Sequence, residues 1–99
     1  MTYSKNHDLK IIFSTNLKYY RIENNMTQSE LAEKVNLSIK FISDLERAIF
    51  SPSIDTLAEI AKALNTESYL FLKYDKNHEN VPNRLDLKTG NRKKKIKIN

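Results

Sequence analysis

The chain carries one glycine, Gly90, and two prolines, Pro52 and Pro82, in 99 residues. No residue of either kind interrupts the backbone before Pro52. Glycine and proline are the strongest local breaks in regular structure, and hairpins lean on them for their turns. Apolar residues here do not alternate with polar ones, as a half-buried strand requires. They recur at intervals of three and four, the helical pattern. The sequence therefore predicts an all-α fold.

Helix limits follow from capping residues. A first helix is expected from about Asp8 to Asn24, with Leu9, Phe13, Leu17 and Tyr20 on one face. Asn24-Asn25 can end it, because asparagine tolerates the left-handed conformation. Thr27-Gln28-Ser29-Glu30 has the form of a capping box, so a second helix starts there. Leu31, Ala32 and Val35 give it a short apolar face, and Asn36 suits a turn. Ser38 can cap a third helix, roughly Ile39 to Arg47, with Ile42 and Leu45 facing inward. Ser53 can cap a fourth, with Asp55 in its first turn and Leu57, Ile60, Ala61 and Leu64 as its core stripe. Asn65 ends it, and Thr66 is expected to cap a short fifth helix reaching about Lys73.

Beyond Tyr74 the pattern fades. Residues 1–75 hold nine basic and ten acidic residues, a net of −1, whereas residues 76–99 hold eight and two, a net of +6. The formal charge of +5 thus belongs to the end of the chain, around Arg92-Lys93-Lys94-Lys95. A stretch so poor in apolar residues cannot offset its ordering entropy. The expected organisation is a domain over 1–74 and a disordered or extended basic tail over 75–99. That tail reads as a solubilising end or a non-specific tether for phosphate.

Several function classes are excluded or unsupported. With no cysteine there is no disulfide and no thiolate metal site. His7 and His78 stand far apart with no ligand-spaced partner, so no metal or cofactor is expected. The longest apolar runs, such as Tyr69-Leu70-Phe71-Leu72, fall far short of the roughly 20 residues of a membrane span. The N-terminus lacks the order of a secretory signal. These features predict a soluble protein of the cytoplasm. Asp44 and Glu46 lie on different helix faces and form no catalytic pair. No serine has a plausible His/Asp partner, and one glycine cannot make a phosphate loop. No enzyme activity is expected.

Residues 28–47 then stand out as a helix, a short turn and a second helix, the geometry of a DNA-binding helix-turn-helix. Ala32 is small where the two helices must approach closely. Ser38, Ile39, Lys40, Ser43, Asp44 and Arg47 are the expected outward positions of the second.

Thr27-Gln28-Ser29-Glu30-Leu31-Ala32, followed by Leu37-Ser38, Phe41-Ile42-Ser43, Leu45-Glu46-Arg47, Pro52-Ser53 and Leu64-Asn65, resembles the Xre or Cro-repressor (lambda-repressor-like) family. The likeness covers about residues 9–74 and is specific because the motifs occur in order and at matching spacing. It implies a compact five-helix DNA-binding domain whose second and third helices read DNA. It implies an ion pair between Arg21 and Glu46, and a phosphate contact from Gln28. It implies base contacts from the start of the third helix: Ser38, Ile39, Lys40 and, one turn on, Asp44. We assign Lys40 to a guanine, Asp44 to a cytosine amine, and Ile39 or Phe41 to a thymine methyl. Ser43 and Arg47 complete the expected surface. The chain departs from the family at Ala48, where a glycine is usual. Keeping a left-handed turn there would cost up to about 1–2 kcal/mol.

Apolar residues near the end of the domain exceed what one helix face can bury. Ile49, Phe50, Tyr69 and Leu72 are therefore expected at a homodimer interface. The combined expectation is a repressor or autoregulator that reads a near-palindromic operator in double-stranded DNA. The alternative is a protein-interaction module on the same fold, such as an antitoxin or an anti-repressor partner.

Overall fold

The computed structural model describes residues 8–81. It holds four α-helices, α1 (Leu9–Glu23), α2 (Gln28–Val35), α3 (Ile39–Glu46) and α4 (Ile54–Ala63). Two 3-10 helices follow, Ser68–Leu72 and Lys76–His78. Each α-helix starts on a capping side chain. Asp8 accepts from the Lys10 amide, Thr27 from Glu30, Ser38 from Phe41 and Ser53 from Thr56. At Thr27 the box is complete, since Glu30 also accepts from the Thr27 amide at 2.8 Å. These caps satisfy amides that have no partner inside their helix.

Among the described residues, four turn the chain through the left-handed region: Asn25, Asn36, Ala48 and Asn65. Asparagine follows α1, α2 and α4. After α3 the same conformation falls on Ala48, at φ 59°. A Cβ there crowds the carbonyl, so the turn is held against a local penalty of about 1–2 kcal/mol.

The core gathers Phe13 and Leu17 from α1, Leu31 and Ala32 from α2, Ile42 and Leu45 from α3, and Leu57, Ile60, Ala61 and Leu64 across α4 and its cap. Phe71 of the first 3-10 helix closes it, its ring 6.0 Å from that of Phe13 and 5.0 Å from that of Tyr20. Burying one such ring stabilises the fold by about 1.5–3 kcal/mol. Leu9, expected on the inner face of α1, is exposed. Ile12, in the next turn, is buried instead.

The expected fifth helix is not an α-helix. Thr66 does not cap it; its hydroxyl donates to the Leu64 carbonyl. The segment begins after Glu67 as a 3-10 turn with no side-chain cap. A tertiary contact holds it: Asn16, buried on α1, donates through Nδ2 to the carbonyls of Leu70, Phe71 and Lys73 at 3.2, 2.8 and 3.0 Å. These are carbonyls that a helix ending at Lys73 leaves without an internal partner.

Nor does the folded part end at Tyr74. The 3-10 helix Lys76–His78 packs against α1, within the stretch expected as a disordered or extended tail from residue 75. His78 is buried, stacks on Tyr19 with ring centroids 3.6 Å apart, and donates through Nδ1 to Asn16 Oδ1 at 2.7 Å. Asp75 Oδ2 stands 3.3 Å from its Nε2. Asn16 thus fixes two successive segments with one amide. Residues 82–99, with the basic cluster, lie outside the described residues.

Candidate nucleic-acid interface

The helix-turn-helix is built outward from a buried charge cluster. Arg21 near the end of α1 reaches Glu46 at the end of α3 through two bonds, from Nε to Oε2 and from Nη2 to Oε1. The side chains are 1% and 3% exposed. Arg21 also donates through Nη1 to the Met26 carbonyl, which pins the α1–α2 turn. Gln28, the first residue of α2, adds a third bond, donating through Nε2 to Glu46 Oε1 at 3.0 Å. One carboxylate therefore ties α1, α2 and α3 together. Planar guanidinium and carboxylate groups favour this two-point geometry.

That anchor leaves the start of α3 on the surface. Ser38 caps the helix and is exposed. Ile39 is 51% exposed and stands beside Lys40. Ser43, one turn on, is half-buried. Gln28 sits half-buried at the neighbouring N-terminus of α2, with one amide proton on Glu46 and one left over.

Two expected contact residues lie elsewhere. Phe41 packs against the core and against Phe50, ring centroids 5.0 Å apart, so it is not on the outer side. Asp44 is buried, not outward. Its two oxygens are taken by Lys40 Nζ at 2.7 Å and Arg47 Nη2 at 2.9 Å. These hydrogen bonds, with Lys40 first and Arg47 second, hold its carboxyl below the ordinary carboxylate value. A cytosine amine would have to displace one of those cations. Asp44 was expected outward from helical spacing and as a base contact from the family likeness, and Phe41 as a base contact; neither spacing nor likeness tells an exposed position from one covered by its neighbours.

Of the expected interface residues, Ile49, Tyr69 and Leu72 are exposed, whereas Phe50 is half-buried against Phe41. Tyr74, also exposed, donates to Glu79 Oε2, and that bond raises its phenol pKa above the ordinary value. The residues missed in the sequence are Asn16 and His78. The available signal was an asparagine on the buried stripe between Phe13 and Leu17; nothing local marked His78. Among the described residues no group of His, Cys, Asp or Glu could hold a metal ion, and no helix is long and apolar enough to cross a membrane.

A family model for helix-turn-helix proteins matches residues 17–71, the stretch that contains this site. The chain belongs to the helix-turn-helix family of DNA-binding transcriptional regulators. It is 43% identical over 51 residues to the immunity repressor protein of Bacillus phage phi105, covering 52% of this chain and 35% of that one. It is 41% identical over 59 residues to control protein C.SmaI of Serratia marcescens, covering 60% and 70%. It is 31% identical over 62 residues to control protein C.BamHI of Bacillus amyloliquefaciens, covering 62% and 76%. The likeness to the phage repressor thus spans about a third of that protein, and the likeness to the control proteins most of theirs. The crystal structure of a hypothetical transcription factor from Neisseria superposes with a TM-score of 0.69 at 22% identity, over 78% of this chain and 88% of that one, and shares the fold.

Proposed function

We propose that the protein is a repressor or autoregulator that reads an operator in double-stranded DNA by laying the start of α3 in the major groove. The observation that carries this reading is the exposure of Ser38, Ile39 and Lys40 on a helix whose other end is locked to α1 and α2 through Glu46. A side chain that reads base edges must be both accessible and held still. Gln28 takes the phosphate contact, with its spare amide proton and the positive end of α2 behind it. Lys40 meets a guanine edge and Ile39 a thymine methyl. Ser38, Ser43 and Arg47 border these contacts.

The active form is a homodimer. Ile49, Tyr69 and Leu72 supply exposed apolar surface, and two copies would read half-sites about 34 Å apart on a near-palindromic site. The basic stretch after residue 81 adds sequence-independent attraction to phosphate. The protein works in the cytoplasm and catalyses no reaction.

Selection of bound duplexes from a random pool tests this reading. A near-palindromic sequence should emerge, and its affinity should fall steeply with salt. Lys40→Ala should weaken that site about tenfold, within the range of one lost base contact, and leave the circular dichroism of the helices unchanged. A pool that yields no preferred sequence, or binding indifferent to both salt and Lys40→Ala, refutes it and favours a protein partner instead.

A further inference from the structure

An acid at the centre of a surface meant for phosphate needs a physical account. Lys40, Asp44 and Arg47 are spaced four and three apart, so they stack on one face of α3. The flanking side chains are 82% and 64% exposed, whereas that of Asp44 is 8% exposed beneath them. Each carboxylate oxygen has its own cation. Both cations are held at the surface in a set geometry, and part of their charge is cancelled.

We propose that Asp44 is a specificity-determining residue, which holds Lys40 and Arg47 as a clip on the reading face of α3 and suppresses their binding to phosphate on arbitrary DNA. The proposal rests on the major-groove reading of α3 and adds what makes that reading selective. A free lysine or arginine binds any duplex, because neutralising a phosphate releases counterions whatever the sequence. Here either cation must first leave a carboxylate that the two of them cover. Both cations reach solvent, so each contact alone is modest and the two act together. The exchange is favourable only on a sequence that offers something in return, such as a base-edge amino group donating to Asp44. Elsewhere the clip stays closed. Asp44 is charged at neutral pH as any aspartate is, and its two cations hold it so to lower pH than usual.

The test compares the native chain with Asp44→Asn on two DNAs over a salt series: the selected site and a random duplex pool. Asparagine keeps the shape and loses the charge. Affinity for the random pool should rise about three- to tenfold, with a salt slope steeper by about one unit. Affinity for the selected site should change less than about twofold, so the ratio of the two falls. Equal changes on both DNAs, or no change on the random pool, overturn the proposal. If Asp44→Asn does not fold, Lys40→Ala on the otherwise native chain decides. An unchanged random-pool slope supports the clip, and a slope shallower by about one unit overturns it. A native chain that binds neither DNA overturns the DNA reading itself, and this one with it. A native chain that binds selectively and keeps its selectivity in Asp44→Asn overturns this one alone.

Discussion

Asp44 and Glu46 are two carboxylates two residues apart on one helix, each bonded to an arginine and one further donor, yet they do different work. Glu46 is closed off by partners from α1 and α2, and all of them are buried or half-buried. Asp44 is covered by partners from its own helix, and both of those reach into solvent. Bonds between distant segments set how three helices sit together. Bonds within one helix set only how two side chains lie on its surface. The type of carboxylate matters less than where its partners come from and whether water reaches them.

The largest effect should come from breaking the buried pair. Arg21→Ala leaves the Glu46 carboxylate shielded and nearly alone, and should destabilise the fold by about 3–5 kcal/mol in urea unfolding. A loss under about 1 kcal/mol would erase the distinction between the two acids. Next comes Ala48→Gly, in the turn directly after both carboxylates. It relieves the crowding at positive φ and gives back some chain entropy, for a net gain of about 1 kcal/mol, seen as a melting temperature higher by about 4–8 °C. DNA selectivity should not move, because neither acid is touched; a change in it would tie the turn to the reading face.

Gln28→Ala removes the third donor on Glu46 and should cost about 0.5–1.5 kcal/mol, less than Arg21→Ala because the Arg21 bonds remain. A cost equal to that of Arg21→Ala would make the cluster indivisible. The smallest effect concerns acid. The folded-state pKa of Asp44 lies below its ordinary value of 3.8. The unfolded chain therefore binds the proton more readily, and the contribution of Asp44 is present above that value and fades as pH falls through the lower one. Melting curves at neutral pH and near pH 3 should show a slightly smaller acid loss for Asp44→Asn than for the native chain. Identical losses would mean that Lys40 and Arg47 hold the carboxylate no better than water does.

Much of this was legible in the chain because its causes are local. Capping residues lie within three positions of the amides they serve, so Thr27, Ser38 and Ser53 marked three helix starts. The Asn25, Asn36 and Asn65 turns were legible for a similar reason, since asparagine tolerates the left-handed conformation. Arg21 and Glu46 could be paired in advance only through family resemblance, since nothing in the spacing of residues on two helices brings them together. The covering of Asp44 was missed because helical spacing gives a direction around the axis and not the reach of Lys40 and Arg47 across it.

The sequence by itself determined where the first four helices begin and most of the apolar residues they turn inward, because those depend on interactions between near neighbours and on a fixed period. Only the tertiary structure decided that Ser68–Leu72 winds tightly, that the chain stays folded to His78, and which acid is shielded by what. Asn16 shows the reason. It holds carbonyls more than fifty residues away and the His78 ring beyond them, and those bonds exist only after packing has brought distant backbone to one buried amide.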